Sequence, residues 1–290
     1  MNGRTSSDRT AGSCANGVRL PGAGPRTIHS IHPTQQQGTS VIIDIAMRTD
    51  RGVVREHNED AVGGDPTSGL IILADGMGGA NAGEVASQLA VDLLVNQLIP
   101  ENDTDAELPG SEDLLETMHG VNQAILELSM QVPEYRGMGT TLVVGLFRGH
   151  SLIHAHVGDS RLYRFRAGLL ECLTTDHTLI QEMVNLGDFS TLEEASLAGV
   201  PQNVLTRAFG ADPEVAVDLA QCDVAEEDIY LFCSDGLTCM LSDQEIQAVL
   251  ERSGDDLMEP IDELIELACG RGGIDNISVI LARVIDNTNE

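Results

Sequence analysis

Thr140-Thr141-Leu142-Val143-Val144-Gly145-Leu146-Phe147 and Ser151-Leu152-Ile153-His154-Ala155-His156-Val157 are two apolar, β-branched runs separated only by Arg148-Gly149-His150. Strand-forming runs joined by a short glycine-bearing turn make an antiparallel hairpin. The pattern returns at once, with Arg161 to Phe165 and Leu169 to Leu173 flanking Ala167-Gly168. Further extended segments are expected at Val41 to Ala46, Val53 to Val62, Leu70 to Leu73, Val215 to Leu219, Asp228 to Cys233 and Asn276 to Val284. Helical spacing falls outside these stretches. Gly83 to Leu98 repeats apolar residues at Val85, Ala86, Leu89, Ala90, Leu93, Leu94 and Leu98, and a second helix capped by Ser111 runs to about Met130. A third is expected over His177 to Leu186 and a later pair over Ser242 to Glu251 and Leu257 to Ala268, while Gly187 to Gly199 reads as a polar, irregular flap. Hairpins build antiparallel sheets, and helices in separate pairs lie outside them. The expected fold is α+β, two antiparallel sheets face to face with helices on both outer sides.

The 290 residues, 42% of them hydrophobic and 21% charged, describe a soluble globular protein with a large core, and the absence of Trp leaves that core aliphatic. Acids number 46 against 16 bases, every base is arginine, and the formal charge is −30. Such a surface argues against nucleic acid or an anionic membrane as partner. An anionic substrate must then be drawn in by bound cations or by an arginine. The six cysteines, at 14, 172, 222, 233, 239 and 269, form no C-x-x-C pair and fit a reduced cytoplasmic compartment. No apolar run approaches the ~18 residues that span a bilayer. Residues 1–40 are rich in Gly, Ser, Thr, Pro and Gln, with four arginines against Asp8, and are expected to be a disordered extension; 41–286 would be one domain and 287–290 a tail.

Acids recur where apolar runs surface: Asn58-Glu59-Asp60, Ala74-Asp75-Gly76-Met77-Gly78-Gly79, Gly158-Asp159-Ser160-Arg161, Ser234-Asp235-Gly236 and Ile274-Asp275-Asn276. One Asp-Gly is more often a turn than a ligand. Five such sites, set among Gly, Ser and Asn, make a shared oxygen-ligand centre of the kind Mg²⁺ or Mn²⁺ prefers.

These motifs, with Arg55, Gly83-Glu84-Val85-Ala86-Ser87, Gly139-Thr140-Thr141, Thr175-Asp176-His177 and Asn203-Val204-Leu205-Thr206-Arg207-Ala208, resemble the bacterial form of the metal-dependent serine/threonine protein phosphatases of type 2C. Each is short, but their order over residues 42 to 285 is specific. The resemblance implies an α-β-β-α sandwich. It implies that Asp75 bridges two ions, with the Gly76 carbonyl on one and Asp235 and Asp275 on the other. Glu59 and Asp60 would hold metal-bound waters, Arg55 would bind substrate phosphate, and Asp159 with Asp235 would match a third ion. Asn276 would stand behind these. It further implies a monomer acting on phosphorylated proteins and opposing a serine/threonine kinase. Two cations bridged by one carboxylate neutralise a phosphate dianion and hold a water whose lowered pKa makes it a nucleophile. Met77 stands where eukaryotic relatives commonly carry a histidine proposed as the proton donor, which leaves a metal-bound water as the first candidate for that role and His57 or His177 as a distant second.

Each residue has a plainer reading beside this one. Arg55 could be a surface ion pair, His154 and His156 are better read as core or edge histidines than as ligands, and Ser160 and Ser234 lack the G-x-S-x-G elbow of a nucleophile. Two rivals stand: a silent adaptor that binds phosphoprotein, and a hydrolase of small phosphoesters.

Overall fold

A computed structural model describes residues 41–79, 82–99 and 109–285. Among them, in chain order, run β1 (Ile42–Asp50), β2 (Asp60–Asp65), β3 (Leu70–Met77), α1 (Ala82–Leu98), α2 (Ser111–Gln131), β4 (Gly139–Thr140), β5 (Leu142–Arg148), β6 (Ser151–Val157), β7 (Arg161–Arg166), β8 (Leu169–Cys172), α3 (Leu179–Asn185), α4 (Leu192–Leu197), β9 (Asp218–Asp223), β10 (Ile229–Cys233), α5 (Asp235–Thr238), α6 (Asp243–Leu250), α7 (Met258–Gly270) and β11 (Ile277–Ile285). Both expected hairpins are present, β5 with β6 and β7 with β8. The second turns at Ala167 and Gly168, both with positive φ, the geometry that follows the twist of a two-residue hairpin.

The strands form two antiparallel sheets, ordered β1-β11-β10-β7-β8 and β2-β3-β5-β6-β9, with β4 appended to β3. The alternation of side chains along each strand divides the core into three layers. Ile71, Leu73, Val143, Leu152, Leu162, Tyr230, Phe232, Ile280 and Ala282 fill the space between the sheets. Their neighbours Leu70, Ile72, Ala74, Val144 and Ala155 point the other way, onto α1 and α2 through Ala86, Ala90, Leu94, Met118 and Ile125. Leu231, Val279 and Leu281 of the first sheet meet α6 and α7 through Ile246, Val249, Ile261 and Leu264. Runs that are apolar at every position, such as Leu70 to Leu73, are thus covered on both faces.

Several boundaries differ from the expectation. Residues 53–59 are irregular rather than extended, because the Val53 and Val54 N–H groups donate to the Gly273 carbonyl at 2.8 and 3.2 Å instead of to a strand. Gly110, not Ser111, precedes α2, and the Asp113 carboxylate accepts from the Gly110 N–H at 2.8 Å. Thr178 caps α3 by accepting from the Gln181 N–H, which leaves His177 outside the helix. The flap contains α4, capped by Thr191 Oγ1 on the Glu194 N–H at 3.1 Å, with the Glu194 carboxylate accepting from the Ser190 N–H at 2.9 Å. β9 starts at Asp218, and α5 is too short to leave a periodic signal. The extension 1–40, most of the acidic loop 101–110 and the tail 287–290 lie outside the described residues.

Candidate metal centre

The acids arrive from both sheets at one edge of the sandwich. Asp60 and Asp75 are register partners across β2 and β3, Asp159 follows β6, Asp235 opens α5 directly after β10, and Asp275 stands two residues before β11. Asp60 ties the sheets together: its Oδ2 accepts from Ser278 Oγ on β11 at 2.6 Å and from Ser234 Oγ after β10 at 2.9 Å. Neither serine is a nucleophile candidate in this setting, since both hydroxyls are buried and engaged. Ser160 is likewise buried, 2.7 Å from Thr141 Oγ1, which also accepts the Asp75 N–H at 3.1 Å.

Glu59 is held by its backbone. Its N–H donates to Asn276 Oδ1 at 2.8 Å, and its carbonyl accepts from Ser87 Oγ at 2.6 Å and from the Gly76 N–H at 3.1 Å. Asn276 Nδ2 donates to the carbonyls of Arg51 and His57, so one side chain stitches the irregular 51–59 loop to the start of β11. Gly83 lets α1 press against this loop. A Cβ there would stand 2.9 Å from both the Gly76 carbonyl oxygen and the Glu59 carboxyl carbon, too close for any side chain. Those two oxygen-bearing groups therefore face one small space.

Burial and mutual repulsion raise the acids' proton affinity. Asp60 is pushed up to about 7 by burial first and by Asp235 and Asp275 after it, against the opposing pull of the two serines. Asp159 also reaches about 7, through burial, Asp235 and Asp176. Asp75 is raised well above the usual carboxylate range by burial and then by Asp60, Asp235, Asp159 and Asp275. Asp235 and Glu59 move the same way, burial leading in each. Arg55 Nη2 donates to Asp275 Oδ2 at 2.7 Å at the half-exposed rim. The surface-pair reading of Arg55 and the site reading thus coincide, for its partner is one of the five aspartates.

The donor set fits a hard divalent cation. Asp60 Oδ1 and Asp235 Oδ1 are buried without a hydrogen-bond partner, on acids that repel one another, which is costly unless a cation faces them. All candidate ligands are oxygens, as Mg²⁺ and Mn²⁺ prefer. No three acid oxygens among the described residues close to within 4.8 Å of one another, Asp275 being drawn to Arg55; the set that does is His156, His177 and Asp218. That set suits an ion poorly. The two imidazoles stack face to face with centroids 4.6 Å apart, and Arg207 Nη1 lies 3.2 Å from His177 Nε2. His154 and His156 are buried and their proton affinity is lowered by burial, His154 to about 4, in keeping with core histidines.

His57 is exposed, whereas both ring nitrogens of His177 are committed, Nδ1 to the Gly158 N–H and Nε2 to Asp218, so His177 has no free proton to donate. Met77 packs over Gly139, its register partner on β4. Beside Asp159 and Asp235 opens a cavity of about 470 Å³, walled by Arg161 and Asp176, by Ile180 of α3, by Leu192 and Leu197 of α4, and by Cys239. The residue missed by sequence reasoning is Ser278, a single hydroxyl with no local motif of its own, while Ser87 and Thr141 were singled out only as members of their motifs.

The fold and its acid-lined edge define a metal-dependent phosphohydrolase of the sandwich type. The family model for protein phosphatase 2C matches residues 53–268. The chain belongs to the protein phosphatase 2C family, the metal-dependent serine/threonine protein phosphatases that its motifs resemble. The serine/threonine phosphatase stp of Listeria monocytogenes is 39% identical over 240 residues, 81% of this chain and 93% of that protein. PstP of Mycobacterium tuberculosis is 39% identical over 250 residues, 85% of this chain and 46% of that longer protein. The crystal structure of PstP/Ppp superposes with a TM-score of 0.75 at 38% identity, covering 85% of this chain and all of the solved one. A structure of the PstP catalytic domain in complex with two manganese ions superposes with a TM-score of 0.74 at the same identity and 85% coverage of this chain.

Proposed function

We propose that the chain removes phosphate from phosphoserine and phosphothreonine in proteins, using Mg²⁺ or Mn²⁺ ions held by Glu59, Asp60, Asp75, the Gly76 carbonyl, Asp159, Asp235 and Asp275. Residues 41–286 form the catalytic domain and 1–40 an extension outside the chemistry. The observation that carries this reading is the pair of partnerless buried oxygens on Asp60 and Asp235, brought together from different sheets. When bound, such cations offset the charge of a phosphate dianion and supply water acidic enough to ionise near neutral pH.

The chain's own residues do the rest. Asp75 and Asp60 face each other across one strand pair and present two carboxylates to the same space. Asn276 and Ser87 hold Glu59 in place from either side of its peptide. Arg55 brings a planar fork of donors to the rim, matched to two oxygens of a phosphate, once it leaves Asp275. In a chain without lysine, that arginine and the ions are what draws an anionic substrate in.

Phosphorylated proteins are the substrates, a serine/threonine kinase of the same cytoplasm supplies them, and the enzyme acts as a monomer. No helix among the described residues is long and apolar enough to cross a membrane. Turnover of p-nitrophenyl phosphate and of phosphothreonine peptides is expected with Mn²⁺ and is lost with chelator. Tight phosphopeptide binding without turnover under any metal would establish the adaptor instead, and activity on small esters with none on phosphoproteins would establish the small-ester hydrolase.

A further inference from the structure

Asp159 stands on a loop gripped at both ends by two adjacent residues. The strap that follows β8 runs back along this loop. Asp176 takes Arg161 at one end, with Arg161 Nε and Nη2 donating to its two oxygens at 2.8 and 2.7 Å. His177 takes Gly158 at the other. The His177 N–H donates to the Gly158 carbonyl at 2.9 Å, and the Gly158 N–H donates to His177 Nδ1 at 3.1 Å. Gly158 has φ +108, and a Cβ on it would meet Thr141 Cβ at 2.6 Å, so this peptide takes a course that only glycine follows.

His177 is itself fixed from three directions. Because Nδ1 accepts, Nε2 carries the proton and donates to Asp218 Oδ2 at 3.2 Å, while Arg207 holds the other oxygen of Asp218 at 2.8 Å. The ring stacks on His156, whose Nε2 pairs with the Thr175 carbonyl at 2.9 Å. The His177 carbonyl accepts the Thr206 N–H at 2.9 Å, which closes the base of the segment 178–205 that carries α3, the flap and α4. One buried residue therefore joins the Asp159 loop, the base of segment 178–205 and β9. The reaction as described above makes no use of it.

We propose that His177 is a positioning residue: by accepting the Gly158 N–H it sets the direction of the Asp159 carboxylate, and so the affinity of the ion that Asp159 and Asp235 hold. The proposal rests on the reading of Asp159 as an ion ligand. The residue does not touch the ion and acts only through the peptide before the ligand. Groups standing behind a metal ligand in this way change affinity by about 10–100-fold when lost.

Two replacements separate the functions of the ring. His177→Asn keeps an acceptor near the place of Nδ1 and gives up Asp218. His177→Gln keeps a group near Nε2 and gives up the acceptor for Gly158. The full chain, its two His177 variants, Asp159→Asn and the double variant Asp159→Asn with His177→Gln are titrated with Mn²⁺ by calorimetry and by electron paramagnetic resonance of the free ion. Melting in chelator is followed in parallel.

Asp159→Asn is expected to remove one binding step. His177→Gln should weaken that same step by about 10–100-fold and leave the others unmoved. His177→Asn should stay within a few-fold of the parent, and the double variant should match Asp159→Asn alone. Equal impairment by Asn and Gln, weakening of every step alike, or a His177→Gln chain that does not fold would overturn the positioning role. If Asp159→Asn loses a step that His177→Gln retains, His177 alone is rejected. If Asp159→Asn loses none, the assignment of Asp159 falls and the proposal falls with it.

Discussion

Asp60→Asn separates what the acid cluster costs from what it does. Asp60 is 8% exposed, and its carboxyl moves from the usual 3.8 to about 7, chiefly through burial and then through Asp235 and Asp275. Between those two values the folded chain binds more protons at this site than the unfolded chain does. The contribution of Asp60 to stability in chelator therefore falls as pH rises through the window from about 4 to about 7, and changes no further above it. At ~1.4 kcal/mol for each tenfold change in proton affinity, ionised Asp60 costs the fold at most about 4 kcal/mol near neutrality. The neighbouring acids share the same protons, so removing one charge recovers about half of this, ~2 kcal/mol. An asparagine carbonyl can keep both serine hydrogen bonds, so little is lost in exchange. At ~2–4 °C per kcal/mol for a domain of this size, the variant should melt about 4–8 °C above the parent in chelator at about pH 7.5, and level with it at about pH 4. Saturating Mn²⁺ should narrow or reverse the gap, since a ligand at a hundred times its Kd adds about 2.7 kcal/mol to the form that binds it best. Calorimetric melting in the four combinations of pH and metal measures all of this. A variant that melts below the parent in chelator near pH 7.5, or one whose advantage persists at pH 4, would refute the reasoning.

Asp75→Asn should abolish Mn²⁺-dependent turnover of p-nitrophenyl phosphate, while Met77→Ala, which removes only packing over Gly139, should keep most of it; a Met77→Ala enzyme as inactive as Asp75→Asn would give Met77 a chemical role. Gly83→Ala should lower turnover at least about tenfold, because its methyl displaces the Gly76 carbonyl or Glu59 from a contact of 2.9 Å. Mn²⁺ affinity measured on the same protein should fall with it, and unchanged affinity would place the damage elsewhere.

The layered architecture was legible because alternation and continuous apolar runs report burial directly, as Leu70 to Leu73 and the β5–β6 hairpin show. Residues 53–59 were misread as extended because Val53 and Val54 have strand propensity, while their actual partner, the Gly273 carbonyl, lies far along the chain. The α4 turn was hidden by the polarity of Thr191, Glu193 and Glu194, which are the residues that start a short exposed helix. At the site, the five aspartates announced themselves by their flanking glycines and asparagines. Ser278 did not, because a serine in the middle of a β-strand carries no mark of the carboxylate it will meet across the sandwich. His177 was visible as part of a motif and as a distant candidate proton donor, and its contacts with Gly158 and Asp218 needed three dimensions to appear.

The division of the acids between the two sheets has a mechanical consequence. Asp60, Asp75 and Asp159 come from one sheet and Asp235 and Asp275 from the other, so a cation held among them would work as a rivet through the sandwich. Its binding energy would add to the docking of the sheets and to neither sheet alone. Loss of divalent ions should accordingly be felt first as loosening along that seam, at Ser234, Ser278 and the 51–59 loop, while the helices packed on the outer faces keep their protection against hydrogen exchange.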